Sequence, residues 1–188
     1  MEARKLEDYT YQDYLDIDAT TKERVELIFG KIYMMAGASA VHQDVVGNIF
    51  YVLKNINKCK PRIAPYDLKL FCPRQGVRES TNVVQPDIML FCESEQLPCA
   101  IFEVLSPSTA AKDKTVKKEL YECAKIREYF LVEPEYGIVE KFVLDGESYR
   151  YEGSFTKEDT IDVTCLEAKL EVADFFAGIE VHEGEECD

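Results

Sequence analysis

The hydrophobic positions of this chain follow helical spacing in some segments and strand spacing in others. The clearest helical segment is 43–57, where seven apolar positions recur every three or four residues. Thr10 followed by Asp13 is typical of a capping box and predicts a short helix through about Ile17. The β-rich runs 25–29 and 31–35 are separated by Gly30, so they predict a hairpin.

The rest of the chain alternates further strands with one helix. The pattern predicts strands over 62–71, over 84–91, from residue 99 onward and over 128–132, with a helix over 113–124 before the last of them. Helix, three strands, helix and strand in this order predict an α/β (α+β) fold, a mixed β-sheet flanked by helices. Without a Pro/Gly/Ser-rich linker, residues 1–188 are expected to form one domain. Its core would span about 42–134, with a helix and hairpin in 1–41 and a hairpin and acidic tail in 135–188.

Two predicted strands carry a carboxylate among apolar residues. Asp87 lies in the run 84–91, and Glu103 lies in the next strand. An unpaired charge is costly to bury, so these acids need a compensating group. On neighbouring strands they would form an oxygen site suited to Mg²⁺, although salt bridges on a surface strand are the alternative. Pro86 lacks a ladder donor, which predicts an edge or bulged position beside Asp87.

One lysine of the helix 113–124 faces the predicted sheet. Lys117 falls within the apolar arc of the helix, whereas Lys114, Lys118 and Lys125 point to the solvated side. A buried lysine requires an anion, which the carboxylate pair or a phosphate would supply. Lys117 could act in catalysis or could simply neutralise Glu103. Asp113 is interpreted as a charge favoured at the helix N-terminus.

These residues resemble a known nuclease motif. Pro86-Asp87, then Glu103 on the next strand, then a lysine are similar to the PD-(D/E)xK nuclease superfamily. The lysine usually follows the second acid by two residues, but Leu105 occupies that position here, so Lys117 would be a relocated equivalent. Segments 9–15, 26–33, 42–43, 103–109 and 128–134 resemble more closely the Uma family of restriction-endonuclease-like proteins.

The resemblance implies a restriction-endonuclease-like core of order αβββαβ and a metal-dependent endonuclease that hydrolyses phosphodiester bonds, with DNA as the expected substrate. Asp87, Glu103 and the backbone carbonyl of Val104 would hold Mg²⁺ or Mn²⁺, and Lys117 would assist catalysis. Homodimers are frequent in this fold. The alternatives are a non-catalytic binding or assembly module, and a nuclease for RNA or for branched or single-stranded DNA.

Three further residues are candidates for accessory roles in the same site. Glu26 and His42 match family positions, on the hairpin and at the start of the long helix. Asp67 is polar within an apolar strand. A neutral imidazole could hold a water or phosphate, and Glu26 could complete the cation shell through water.

Charge and cysteine usage qualify this picture. The formal charge of −14 disfavours a nucleic-acid binder, but residues 152–188 hold 12 acidic and 2 basic residues and so carry −10 of it. Residues 54–78 hold seven Lys/Arg against one Asp, either a local basic surface or a solvated run without a partner.

The chain lacks a signal-peptide pattern and an apolar stretch long enough to span a membrane, so a cytoplasmic protein without membrane contact is expected. Seven cysteines, mostly in apolar patterns, are expected to be reduced structural thiols. With no CxxC and only two histidines, a structural zinc site is not expected.

Overall fold

The computed structural model describes residues 8–93 and 95–182, and their contacts divide into two compact units. Unit 1 comprises the described residues up to Gly37 together with Asp67–Gln85. Unit 2 comprises Ala38–Tyr66 and the described residues from Pro86 onward. The prediction of a single domain over 1–188 remains a prediction.

The helices are short except for the second. They are α1 (Tyr11–Thr20), α2 (Ala40–Ile56), α3 (Ala110–Lys112), α4 (Lys118–Cys123) and α5 (Val172–Phe175). A π-helical turn, Asp113–Lys117, joins α3 to α4, and Thr164–Leu166 forms a 3₁₀ turn. The strands are β1 (Val25–Ile28), β2 (Lys31–Met34), β3 (Lys60–Ile63), β4 (Leu68–Phe71), β5 (Thr81–Val84), β6 (Ile88–Phe91), β7 (Ala100–Val104), β8 (Glu128–Glu133), β9 (Ile138–Asp145), β10 (Ser148–Phe155), β11 (Thr160–Val163) and β12 (Ala168–Glu171).

Unit 1 is a four-stranded antiparallel sheet of order β2-β1-β5-β4, with α1 packed on it. The predicted capping box is present, because Thr10 accepts from the backbone N–H of Asp13 and the Asp13 carboxylate accepts from Thr10. Tyr14 of α1 is buried with Val25 and Leu27 of β1. The predicted hairpin of β1 and β2 is confirmed.

Unit 2 is built on a six-stranded mixed sheet of order β10-β9-β8-β7-β6-β3. Only β7 and β8 pair in parallel among its described strands, and the helical segment from α3 to α4 connects them. Within this unit the chain order is α2, β3, β6, β7, α3–α4 and β8, which is the predicted αβββαβ order. The long helix packs its fully buried Val45, Ile49 and Leu53 into the unit's core, as its spacing predicted.

Two predicted strands are each divided in the structure. The run 62–71 splits into β3 and β4, which belong to different sheets, with Pro65 in the break. The run 84–91 splits at Pro86 between β5 and β6. Proline offers no ladder donor, and at both positions the strand stops rather than bulges. The predicted edge or bulge at Pro86 was therefore wrong, because β6 lies inside its sheet and begins only at Ile88.

Two other expectations also require correction. The hairpin of β11 and β12 was not predicted. The cysteines are not all reduced thiols: disulfides join Cys59 to Cys92 and Cys99 to Cys165. Among the described residues, every helix is too short or too polar to cross a membrane.

Candidate active site

The sheet of unit 2 brings Asp87 and Glu103 together. Ile88 pairs with Phe102 in the antiparallel register of β6 and β7, so Asp87, which precedes Ile88, faces Glu103, which follows Phe102. The backbone N–H of Asp87 donates to Glu103 Oε2 at 3.3 Å, and the N–H of Val104 donates to Asp87 Oδ2 at 2.8 Å. The predicted juxtaposition of the two acids is present, although Asp87 precedes its strand instead of lying inside it.

Glu103 is buried beside two donors. Its Oε1 accepts from Lys117 Nζ at 2.9 Å and from the hydroxyl of Tyr121 at 2.6 Å. Glu103 and Lys117 are each 2% exposed, and Tyr121 is fully buried. The helical arc predicted Lys117 correctly as the lysine that faces the sheet. Tyr121 was not among the predicted site residues, although a buried tyrosine hydroxyl usually finds a partner.

Asp113 is a member of this cluster and not the terminal helix charge that was expected. It is 2% exposed, and its Oδ1 lies 3.6 Å from Lys117 Nζ. Burial raises the pKa of Asp113, Lys117 opposes that shift, and the nearby charge of Asp87 adds to it. The i,i+4 spacing of Asp113 and Lys117 was the sequence signal for this pair.

Two residues of the cluster lie on a π-helical turn, where a continuous helix over 113–124 was predicted. Asp113 and Lys117 are the first and last residues of that turn, and both are buried. π-turns are rare inside helices and occur often at functional sites. Behind the turn, Tyr129 donates to the backbone carbonyl of Asp113 at 3.0 Å. Burial and the charge of Glu103 raise the pKa of Tyr129 well above its usual value, so this hydroxyl keeps its proton.

His42 contacts the same cluster from α2. Ser39 caps this helix by accepting from the His42 N–H, which places the imidazole at the first turn. Its Nε2 lies 3.1 Å from Asp87 Oδ2, and the two side chains are 15% and 16% exposed. Burial lowers the pKa of His42, but the hydrogen bond and charge of Asp87 raise it by more, so the net shift is upward.

A pocket of about 240 Å³ opens beside the imidazole within unit 2. Residues lining it include Ser39, Ser106, Glu133 and His182. Burial raises the pKa of Glu133. The pocket gives a small ligand group a route to His42.

Glu26 and Asp67 lie in unit 1, where one glutamine contacts both. The backbone N–H of Gln85 donates to Glu26 Oε1 at 2.9 Å, and its side-chain Nε2 donates to Asp67 Oδ1 at 2.8 Å. Glu26 is fully buried. Their membership of the active site stays a prediction, as does a ligand role for the Val104 carbonyl.

The basic run 54–78 is divided between the two units. Three of its cations belong to unit 1 and four to unit 2. In unit 2, Lys58 pairs with Glu167 and Lys60 pairs with Glu95, while Arg62 stacks on aromatic rings. The count of basic residues in 54–78 is therefore not a measure of a local basic surface, because ion pairs with acidic residues elsewhere in the chain neutralise part of that charge.

The order αβββαβ, with acidic residues facing each other across two adjacent strands, defines a restriction-endonuclease-like nuclease fold. A crystal structure of "a putative nuclease belonging to DUF820" from Anabaena variabilis matches it with a TM-score of 0.69, over 89% of this chain and 97% of that chain. Sequence identity over this match is 17%, so it shows the fold alone.

The chain belongs to the Uma2 family, "Putative restriction endonuclease", whose family model matches residues 11–174. It is similar to two uncharacterized proteins of Synechocystis sp., sll1609 and slr1290. The first is 31% identical over 136 residues, which cover 66% of this chain and 74% of that protein. The second is 28% identical over 131 residues, which cover 64% of this chain and 66% of that protein.

Proposed function

We propose that this chain is a Mg²⁺- or Mn²⁺-dependent endonuclease that hydrolyses phosphodiester bonds in DNA. The observation that carries the proposal is the cluster of partly buried Asp87 with buried Glu103 and Lys117 on adjacent elements of the nuclease fold. Membership of a family described as restriction endonucleases supports the reaction class.

The charges and donor atoms of the cluster fit a hard divalent cation. Three carboxylates, Asp87, Glu103 and Asp113, accompany one lysine, so these four side chains sum to −2 when ionised. Asp87 Oδ1 accepts no hydrogen bond from any residue that the structure describes, and Asp113 Oδ1 is buried without one. Carboxylate and carbonyl oxygens are the ligands that Mg²⁺ prefers.

Asp87, Glu103 and the carbonyl of Val104 would hold the cation. When bound, such a cation polarises the scissile phosphate and lowers the pKa of a ligated water. Within the chain, Val104 N–H orients Asp87 through its bond to Oδ2. Tyr121 and Lys117 orient Glu103 through its Oε1, which leaves Oε2 directed at the backbone of Asp87.

Hydrolysis forms a bond from the water oxygen to phosphorus and breaks one bridging P–O bond. The attacking water loses one proton, and the leaving alkoxide takes up one. Lys117, with its ammonium at 2.9 Å from Glu103, stabilises negative charge that develops on the phosphate. His42, beside Asp87 and on the pocket, positions a water or a phosphate oxygen. Neither role requires a contact with a base edge, so neither role makes cleavage depend on the base sequence.

A second candidate function is a non-catalytic binding or assembly module that retains this fold. The observation that favours it is the engagement of Lys117 with both Glu103 and Asp113, the arrangement expected if the lysine served only to neutralise buried acids. The endonuclease and the non-catalytic module would have the same fold, and they would differ in whether the chain cuts nucleic acid.

A cleavage assay separates them. Native chain and Glu103→Gln are incubated with Mn²⁺ or Mg²⁺ on supercoiled, linear, branched and single-stranded DNA and on RNA, and DNA binding is measured in parallel. We expect the native chain to cut DNA and Glu103→Gln to bind as well or better without cutting, because one negative charge is lost. Glu147→Gln is the matched control, because that carboxylate is exposed and pairs only with Lys125 among the described residues.

The substrate panel also tests the choice of nucleic acid. Cleavage restricted to RNA, or to branched or single-stranded DNA, would replace the proposed substrate but keep the chemistry. If the native chain cuts nothing with either ion, and Glu103→Gln binds every substrate no differently, the endonuclease proposal gives way to the non-catalytic module.

A further inference from the structure

Three cysteines meet at one end of the unit 2 sheet because of its strand order. Cys59 immediately precedes β3 and Cys92 immediately follows β6, and these antiparallel strands pair at the residues next to them. Cys99 immediately precedes β7, and its N–H donates to the carbonyl of Leu90 in β6 at 2.8 Å. The strand pairing alone therefore places these three cysteines at the same end of the sheet.

A buried carboxylate brings a fourth cysteine to them. Glu128 of β8 is 1% exposed and accepts from the N–H groups of Thr164 and Cys165, both at 3.0 Å. Its own N–H donates to the carbonyl of Cys99 at 3.1 Å, and Lys141 Nζ lies 3.3 Å from its Oε1. This network holds the 3₁₀ turn that carries Cys165 against the start of β7.

The result is a compact group of four sulfur atoms. The disulfides join Cys59 to Cys92 and Cys99 to Cys165, and across the two pairs Cys92 Sγ lies 3.1 Å from Cys99 Sγ. The sulfurs of Cys92, Cys99 and Cys165 all lie within 4.8 Å of one another. Two disulfides can cross-link a chain without contacting each other, so cross-linking alone does not account for the short distance between Cys92 Sγ and Cys99 Sγ. A tetrahedral Zn²⁺ site needs four sulfurs about 3.8 Å apart, with Zn–S bonds of about 2.3 Å. Three of the four sulfurs already lie close to one another, and Cys59 is bonded to one of these three, Cys92.

We propose that in the reduced chain Cys59, Cys92, Cys99 and Cys165 form a tetrathiolate site for a soft divalent metal ion of the Zn²⁺ class. Reduction of the two disulfides takes four electrons and four protons. Two phosphine molecules supply the electrons as they are oxidised to phosphine oxide, and two water molecules supply the protons and the oxide oxygen. Metal binding then releases the four thiol protons as the thiolates ligate the ion.

This site differs in chemistry from the carboxylate cluster. Thiolates select soft ions such as Zn²⁺, whereas carboxylates select Mg²⁺ or Mn²⁺. The site was not predicted from the sequence because its ligands, at positions 59, 92, 99 and 165, lack the short paired spacing of zinc motifs. The metal would anchor the 3₁₀ turn to three strands of the sheet.

The test uses the full chain, reduced with a phosphine under anaerobic conditions, freed of metal with a chelator and titrated with Zn²⁺. Elemental analysis after gel filtration should find one zinc per chain, and Co²⁺ in place of Zn²⁺ should give the visible bands of tetrahedral cobalt thiolate. Cys99→Ser and Cys165→Ser should each lose stoichiometric binding. Asp87→Ala should keep it, which separates this site from the proposed nuclease cluster.

Several outcomes would overturn the proposal. They are the absence of stoichiometric zinc in the reduced native chain, equal zinc in Cys99→Ser, and peptide mass spectrometry showing that both disulfides persist in excess reductant. Should the serine variants fail to fold, the native chain still decides the matter. Alkylation of the four proposed ligand cysteines, located by peptide mass spectrometry in the presence and absence of Zn²⁺, should show protection only with the metal, and equal alkylation would refute the site.

Discussion

Replacement of Lys117 by methionine tests both the electrostatics and the chemistry of the cluster. The ammonium lies 2.9 Å from Glu103 Oε1 and 3.6 Å from Asp113 Oδ1, and all three side chains are buried. Methionine has a similar length and no charge, so the substitution leaves two buried carboxylates without their shared cation. Breaking a buried pair in this way costs about 3–5 kcal/mol. For a chain of this length, we expect the melting temperature to fall by roughly 6–20 °C.

The same variant should respond more strongly to metal than the native chain does. With Lys117 removed, the three carboxylates attract a divalent cation more strongly, so Mn²⁺ should raise the melting temperature of Lys117→Met by more than that of the native chain. Cleavage should nevertheless fall by about 10²–10³-fold, the usual loss when a charge-stabilising group is removed. Differential scanning fluorimetry with a Mn²⁺ titration and a plasmid-nicking assay measure the two effects.

Lys114→Met is the matched control. Lys114 lies on the same π-turn, but its side chain is 46% exposed and its ammonium is 3.9 Å from Glu140. Its loss should change the free energy of unfolding by less than about 0.5 kcal/mol and leave cleavage intact. Lys118 is a poorer control than its sequence position indicated, because its ammonium lies 3.7 Å from the centre of the Phe142 ring. Equal stability and equal cleavage in Lys114→Met and Lys117→Met would refute the role of the buried lysine.

Three further predictions concern other contacts. Tyr121→Phe removes a 2.6 Å hydrogen bond to buried Glu103 and should lower the free energy of unfolding by about 1.5–3 kcal/mol, measured by urea denaturation. Asp87→Ala should reduce the rise in melting temperature that Mn²⁺ causes, since one candidate ligand is lost. Asp13→Asn should destabilise the chain at neutral pH and not in acid. Hydrogen bonds from Thr10 lower the pKa of Asp13, so the stabilisation is present above the unfolded pKa and is lost as pH falls through the folded pKa.

Each of these has a control and a contradicting result. Tyr51→Phe alters a tyrosine that is 69% exposed, and a loss of stability as large as that of Tyr121→Phe would argue against the buried hydrogen bond. Asp174→Ala removes an exposed acid of unit 2. If Mn²⁺ raised the melting temperature of Asp174→Ala as little as that of Asp87→Ala, Asp87 would not be a specific metal ligand. Asp18→Asn alters an exposed acid of α1 outside the capping box, so a loss of stability equal to that of Asp13→Asn would show that the cap is not the cause.

Sequence patterns predicted the helices and strands whose stability is decided locally. The capping box at Thr10 and the apolar face of 43–57 were both confirmed, because capping and helical periodicity depend on residues within one or two turns. The pairing of Asp87 with Glu103 also followed from sequence, since each acid interrupts an apolar run and needs compensation. The same reasoning selected Lys117, through its place on the buried arc.

Tertiary structure decided what depends on partners distant in sequence. Breaks at Pro65 and Pro86 sent adjacent strands to different sheets, which strand periodicity alone does not reveal. The π-turn and the burial of Asp113 depend on how the helix meets the sheet, so a continuous helix with a terminal charge was the wrong expectation.

The cysteine group depends in the same way on contacts across the chain. Cys59 and Cys165 are 106 residues apart, and only the strand order and the buried Glu128 bring them together. The period of a sequence reports which face of an element is buried. It does not report which distant element covers that face. Contacts between elements distant in sequence bring together the buried charges and the sulfur cluster.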